Sequence, residues 1–94
     1  MSVIVMKMLN GEEVIAEESN PQIDANSYYI DRPRVINIAQ TKDGKGSLGL
    51  FPYLLSDPER KNVPINMNTV VTIFESPRDL AKAYTTAVSG IALV

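Results

Sequence analysis

Two runs with strand-like patterning open the chain. Residues 3–9 (VIVMKML) are apolar and rich in β-branched side chains, interrupted only by Lys7. Residues 12–18 (EEVIAEE) set Glu13, Ile15 and Glu17 against Val14 and Ala16. Alternation with period two marks a strand with one face buried. Asn10-Gly11 between the runs predicts a hairpin with a type I′ turn, which needs positive φ at both central residues.

Beyond this hairpin, Asn20-Pro21 opens a polar loop through Gln22, Asp24 and Asn26 to Ser27, with Ile23 as its one apolar residue, a staple back to the core. Residues 28–40 (YYIDRPRVINIAQ) are strand-like throughout. Their apolar face changes sides around residues 31–34, and Pro33 there removes a ladder donor, so a sharp bend or bulge is expected. The polar residues 41–46 form a hairpin tip. Residues 47–56 (SLGLFPYLLS) make the next strand. Leu48, Leu50 and Leu54 lie on one face and Phe51, Tyr53 and Leu55 on the other, and Pro52 argues for an edge or a bend. One of these faces meets the core, and the other suits a neighbouring subunit. A charged turn over 57–62 precedes the last strand within 63–75, strongest from Thr69 onward. Ser76, Pro77 and Asp79 then read as the capped start of a helix over 77–90. Its apolar stripe is Leu80, Tyr84, Ala87, Val88 and Ile91, and Gly90 is its terminator. The layout is mainly β: five antiparallel strands, strongly bent, then one C-terminal α-helix.

Length changes this picture little: 94 residues make one domain, 1–94. No apolar run approaches the roughly 20 residues that cross a bilayer, and no signal-like N-terminus is present, so a cytoplasmic protein without membrane contact is expected. Composition says more by omission. Cysteine and histidine are both absent, which removes thiolate chemistry, the commonest general base and the commonest metal ligand. With no nucleophile–base pair in view, the sequence reads as a non-enzyme with no cofactor and no metal. The formal net charge of −2 argues against wrapping duplex DNA, so a nucleic-acid site must be local and small.

Three groups carry candidate chemistry. Glu13 and Glu17 share a face where a divalent cation could sit, but a solvated strand face, whose like charges discourage edge-to-edge aggregation, is the better account of them. Arg32 and Arg34 share a face next to Tyr28 and Tyr29; they suit a phosphate clamp, or charge pairing with the glutamates of the preceding strand. Asn66-Met67-Asn68 suits turn geometry, or amides offered to base edges.

Five strands with a bent third strand and a tight first turn resemble the small SH3-like barrels. Within these, the opening resembles the Sm/LSm family of RNA-binding ring proteins, to which bacterial Hfq belongs. Leu9-Asn10-Gly11 matches the turn of the first Sm motif, Val14 its apolar position and Ala16 its small one. Counting on without gaps, Asn26 falls at the family's base-contacting asparagine. Gln22 stands at the family's aspartate, with Asp24 nearby, and Glu18 replaces an apolar residue. The second motif is echoed by Ile65-Asn66-Met67-Asn68 without its arginine. A helix after the barrel instead of before it makes the chain most similar to Sm-like proteins of marine phages, which would place it in the cytoplasm of a host cell.

The resemblance spans residues 3–75 and implies an Sm-like barrel followed by the helix. It further implies a homo-oligomeric ring closed by pairing the fourth strand of one subunit with the fifth of the next. Single-stranded RNA or DNA would bind around the inner rim, with Asp24, Asn26 and Tyr28 from one loop and Asn66 and Asn68 from another forming each pocket. The asparagines would read base edges and Tyr28 would stack. The alternative is a small-barrel protein-interaction module or scaffold with no nucleic-acid binding, which the net acidity and the missing arginine favour.

Overall fold

The structure, a computed structural model, describes residues 2–20, 22, 26–40, 42–44 and 46–89. Six strands and one helix follow in order: β1 Val3–Met8, β2 Glu13–Glu18, β3 Ser27–Gln40, β4 Gly46–Pro52, β5 Val63–Asn66, β6 Val70–Glu75 and α1 Arg78–Ser89. The expected staple Ile23, the candidate site residue Asp24, and the helix residues Gly90 and Ile91 lie outside the described residues. Among the described residues no helix is long and apolar enough to cross a membrane.

All pairings are antiparallel. The order is β4-β3-β2-β1-β6, with β5 paired to β3 off this path. The bend expected in β3 is present and divides its work. Its first half pairs with β5 (Ser27 opposite Asn66, Ile30 opposite Val63), and its second half with β4 (Arg34 opposite Pro52, Gln40 opposite Gly46). Between the halves the β2–β3 register slips, because Glu17 faces Asp31 while Ile15 faces Arg34. Arg32 takes the left-handed conformation at φ 48° where β3 holds one extra residue. The apolar face changes sides there: Ile30 lies inside, and beyond the bend Val35, opposite the buried Val14, takes over.

Three expectations need correcting. The β1–β2 turn is not type I′. Only Gly11 has positive φ, at 92°; the Gly11 N–H donates to the Met8 carbonyl and the Met8 N–H to the Glu12 carbonyl, closing a three-residue loop of the glycine-bulge kind. The expected strand over 47–56 stops at Pro52, which has no N–H to extend the ladder, and Tyr53 and Leu54 fold back onto the core. The single strand expected over 63–75 is two, so five strands become six. A 3₁₀ turn, Met67–Thr69, separates them, because the Asn66 carboxamide accepts the Asn68 N–H and pulls the backbone out of the extended form. The helix also starts one residue late. The Ser76 hydroxyl donates to the Pro77 carbonyl, which itself accepts the first helical N–H, from Ala81.

Two apolar clusters use opposite faces of the sheet. Inside the bend, Ile4, Met6, Met8, Val14, Ala16, Ile30, Val63 and Ile65 are buried, with Tyr28, Tyr53, Leu54, Val70 and Ile73 packed around them. On the other face α1 lays Leu80, Tyr84 and Val88 over Val3, Val5, Ile15, Ile36 and Leu50. The stripe read from the sequence therefore serves as the helix's sheet-facing side, except that Ala87 is exposed. Tyr84 is wholly buried. Its Oη accepts the Glu17 N–H (3.3 Å) and lies 3.0 and 2.9 Å from the carbonyls of Asp31 and Arg32, where its proton goes. All three backbone groups lie at the register slip between β2 and β3.

Candidate nucleic-acid interface

The β3–β5 pairing places the two loops named from the sequence side by side. Ser27 opens β3 and lies opposite Asn66, the last residue of β5, so Asn26 sits next to the 3₁₀ turn. A cleft of about 440 Å³ results, lined by Asn26, Ser27, Asn66, Met67 and Asn68. Its floor is held locally. The Asn66 Oδ1 accepts the Asn68 N–H at 2.9 Å, and the Thr69 hydroxyl donates to the Asn66 carbonyl at 2.6 Å. Of the two uses the sequence allowed, the structure shows the turn: Asn66 caps it through its oxygen, and the residue also lines the cleft.

Of the five candidate residues, Asn26, Asn66 and Asn68 meet here, and Asp24 lies outside the described residues. Tyr28 does not line the cleft. One position along β3 from Ser27, it faces the inner cluster, and its hydroxyl donates to the Glu18 carboxylate at 2.7 Å. Burial first, and then the Glu18 charge, push its ionisation well above that of a free phenol. Two lining residues, Ser27 and Met67, were not singled out. Gln22 also has a clear part: its amide nitrogen donates to the Ser19 and Tyr29 carbonyls (2.9 and 2.7 Å) and its oxygen accepts the Tyr29 N–H at 2.8 Å, which ties Gln22 itself to β3.

The other candidate chemistry is internally spent. Arg32 pairs with Glu17 of the preceding strand. The Arg34 guanidinium is buried, donating to the Pro58 carbonyl at 2.6 Å and pairing with Glu59 of the 53–62 segment, not with a β2 glutamate. Neither is placed as a phosphate clamp. Glu13 faces Lys7 at 3.5 Å, and among the described residues no group of three or more acidic side chains is placed to hold a metal ion. Buried Asp31 accepts from the Ser19 hydroxyl at 2.6 Å and the Asn62 N–H at 2.8 Å, tying the bend to the segment before β5.

A second surface lies at the ends of the strand path. Among the described residues β4 pairs only with β3 and β6 only with β1, so each offers an unpaired edge. Both edges carry exposed apolar side chains: Leu48 (63% exposed) and Phe51 (47%) on β4, Val71 and Phe74 (46%) on β6. Leu48 lies opposite Ile38 (66% exposed), extending the apolar face beyond the helix.

No protein-family model matches the chain, and no curated protein is significantly similar to it.

Proposed function

We propose that the chain is an Sm-like small barrel that assembles with copies of itself into a ring and binds single-stranded nucleic acid, RNA before DNA, in the cleft between Asn26 and Asn68. The observation that carries this reading is the meeting of Asn26, Asn66 and Asn68, which come from distant parts of the sequence, in one exposed cleft whose described lining residues are uncharged. Amides present donors and acceptors together, as base edges do. The barrel reading is supported by β5 and β6: joined by three residues, they pair with β3 and β1, so the path β3-β2-β1-β6 returns to β3 through the chain itself. The ring reading is supported by the two apolar edges, because pairing β4 of one copy with β6 of the next would cover both ends of the strand path.

A second reading has its own observation. The exposed pair Ile38 and Leu48, on one face of a chain of net charge −2, also suits a protein-interaction module that never touches nucleic acid. Light scattering on the eluting protein, followed by an oligonucleotide screen at low salt, separates the two. The ring reading expects a mass several times the 10.3 kDa of one chain and binding that the double variant Asn26→Ala, Asn68→Ala weakens about tenfold with unchanged mass. A monomer that binds no oligonucleotide leaves the interaction module.

A further inference from the structure

The helix covers the outer face from one side. The Ser76 N–H donates to the Val3 carbonyl at 2.9 Å, which pins the start of α1 beside β1. From there the helix packs over Val3, Val5 and Ile15 and reaches Ile36 of β3 and Leu50 of β4. Three strand spacings separate β1 from β4, about 14 Å, and the 12 residues of α1 span about 18 Å. The helix therefore heads away from β6 and ends on the β4 side. Two apolar features remain. Phe74 of β6 lies opposite Val5 and so shares the outer face, yet it is half exposed behind the start of the helix. Past the other end of α1 the sequence continues as Gly90-Ile91-Ala92-Leu93-Val94, four apolar residues after a glycine, outside the described residues.

We propose that residues 91–94 of one copy pack on Phe74 of the next copy. The assignment rests on the ring reading, in which β6 of the next copy follows β4 one strand spacing further on, about 4.8 Å. Four residues reach about 6 Å as helix and about 13 Å when extended, so the segment spans that step in either form. Each helix then starts on the sheet of its own copy, and the chain that follows it finishes on the neighbour's. Apolar cover is passed across the boundary, a contact additional to the pairing of strand edges. Burying one large aliphatic side chain there is worth about tenfold or more in affinity.

The chain has no cysteine, so an introduced pair reports this contact cleanly. Phe74→Cys and Leu93→Cys are placed in one full-length chain, its assembly is checked by light scattering, and mild oxidation is followed by a denaturing gel. A disulfide needs Cα atoms within about 7 Å of one another. The expected result is a ladder of covalently linked chains that reduction collapses to a single band. Leu93→Ser alone should raise the concentration at which the assembly dissociates about tenfold, with the melting temperature of the dissociated chain unchanged. An intact assembly that yields no ladder would overturn the contact and leave the ring in place. So would a disulfide between Leu93→Cys and Ile38→Cys closing within one chain, which would put the segment on its own outer face. A parent protein with the mass of one chain would overturn both the ring and the contact.

Discussion

The two faces of the sheet solve the same problem differently. The inner face is sealed by the strands themselves: β1, β2, β3 and β5 supply its buried side chains, and the bend in β3 brings them together. The outer face depends on a separate cover. A helix of 12 residues is about 18 Å long, whereas the 14 residues of β3 extend to more than twice that, so α1 cannot cover the whole face. Under it, Val5 and Ile15 are buried; beyond it, Ile38 and Leu48 are exposed. The inner face is thus a finished core, and the outer face is half core and half surface left for contact.

The sharpest way to break this comparison is to cut into each core. Met6 is fully buried at the centre of the inner cluster, so Met6→Ala should cost about 2–5 kcal/mol in urea unfolding, a large share of what a domain this small possesses. The outer cluster is tested by Tyr84→Phe, which keeps the ring and removes one oxygen. That oxygen serves the Glu17 N–H and the carbonyls of Asp31 and Arg32, all at the bend, so the variant should lose about 1–3 kcal/mol.

The same phenol gives a pH signature. Burial, with the Glu17 charge, pushes the Tyr84 ionisation up to about 12, against 10 for an unfolded tyrosine. The folded state therefore holds its proton where the unfolded state has lost it. The contribution is complete below pH 10 and is lost as pH rises from 10 to about 12. Tyr28, shifted upward as well, adds to the same decline. Urea midpoints across this range should fall for the parent chain and fall less steeply for Tyr84→Phe.

Much of the inner face was legible because period two is a strong signal, and the bend was legible because Pro33 coincides with a swap of apolar parity. The turn chemistry was not. Asn-Gly is compatible with two hairpin loops, and the one adopted uses only the glycine's positive φ. The break between β5 and β6 was written in Asn66, Asn68 and Thr69, polar side chains able to bond their own backbone, but β-branched neighbours masked it. Tyr28 shows a different limit. Glu18 follows Val14 and Ala16 in parity and Tyr28 precedes Ile30, so both had to face inward and satisfy one another. Reading each strand alone left Tyr28 available for stacking. The helix stripe was clear from spacing, yet no spacing reveals that the Tyr84 hydroxyl bonds to the backbone of β2 and β3 at the bend. The meeting of Asn26 with Asn66 and Asn68 needed the β3–β5 pairing, which no local pattern encodes.

The smallest effect on stability should accompany the largest effect on assembly. Phe51 and Leu48 lie on β4, away from both buried clusters, and a charge at either position meets solvent in the isolated subunit. Leu48→Lys and Phe51→Lys should each change the unfolding free energy by less than about 0.5 kcal/mol. In the proposed ring the same lysine would be buried beside the apolar side chains of β6, where an unpaired charge is not tolerated. Each variant should therefore reduce the mass seen by light scattering towards one chain while leaving the unfolding curve in place. If the mass is that of an assembly and neither variant alters it, the copies meet elsewhere, and the open half of the outer face is then free for a different protein.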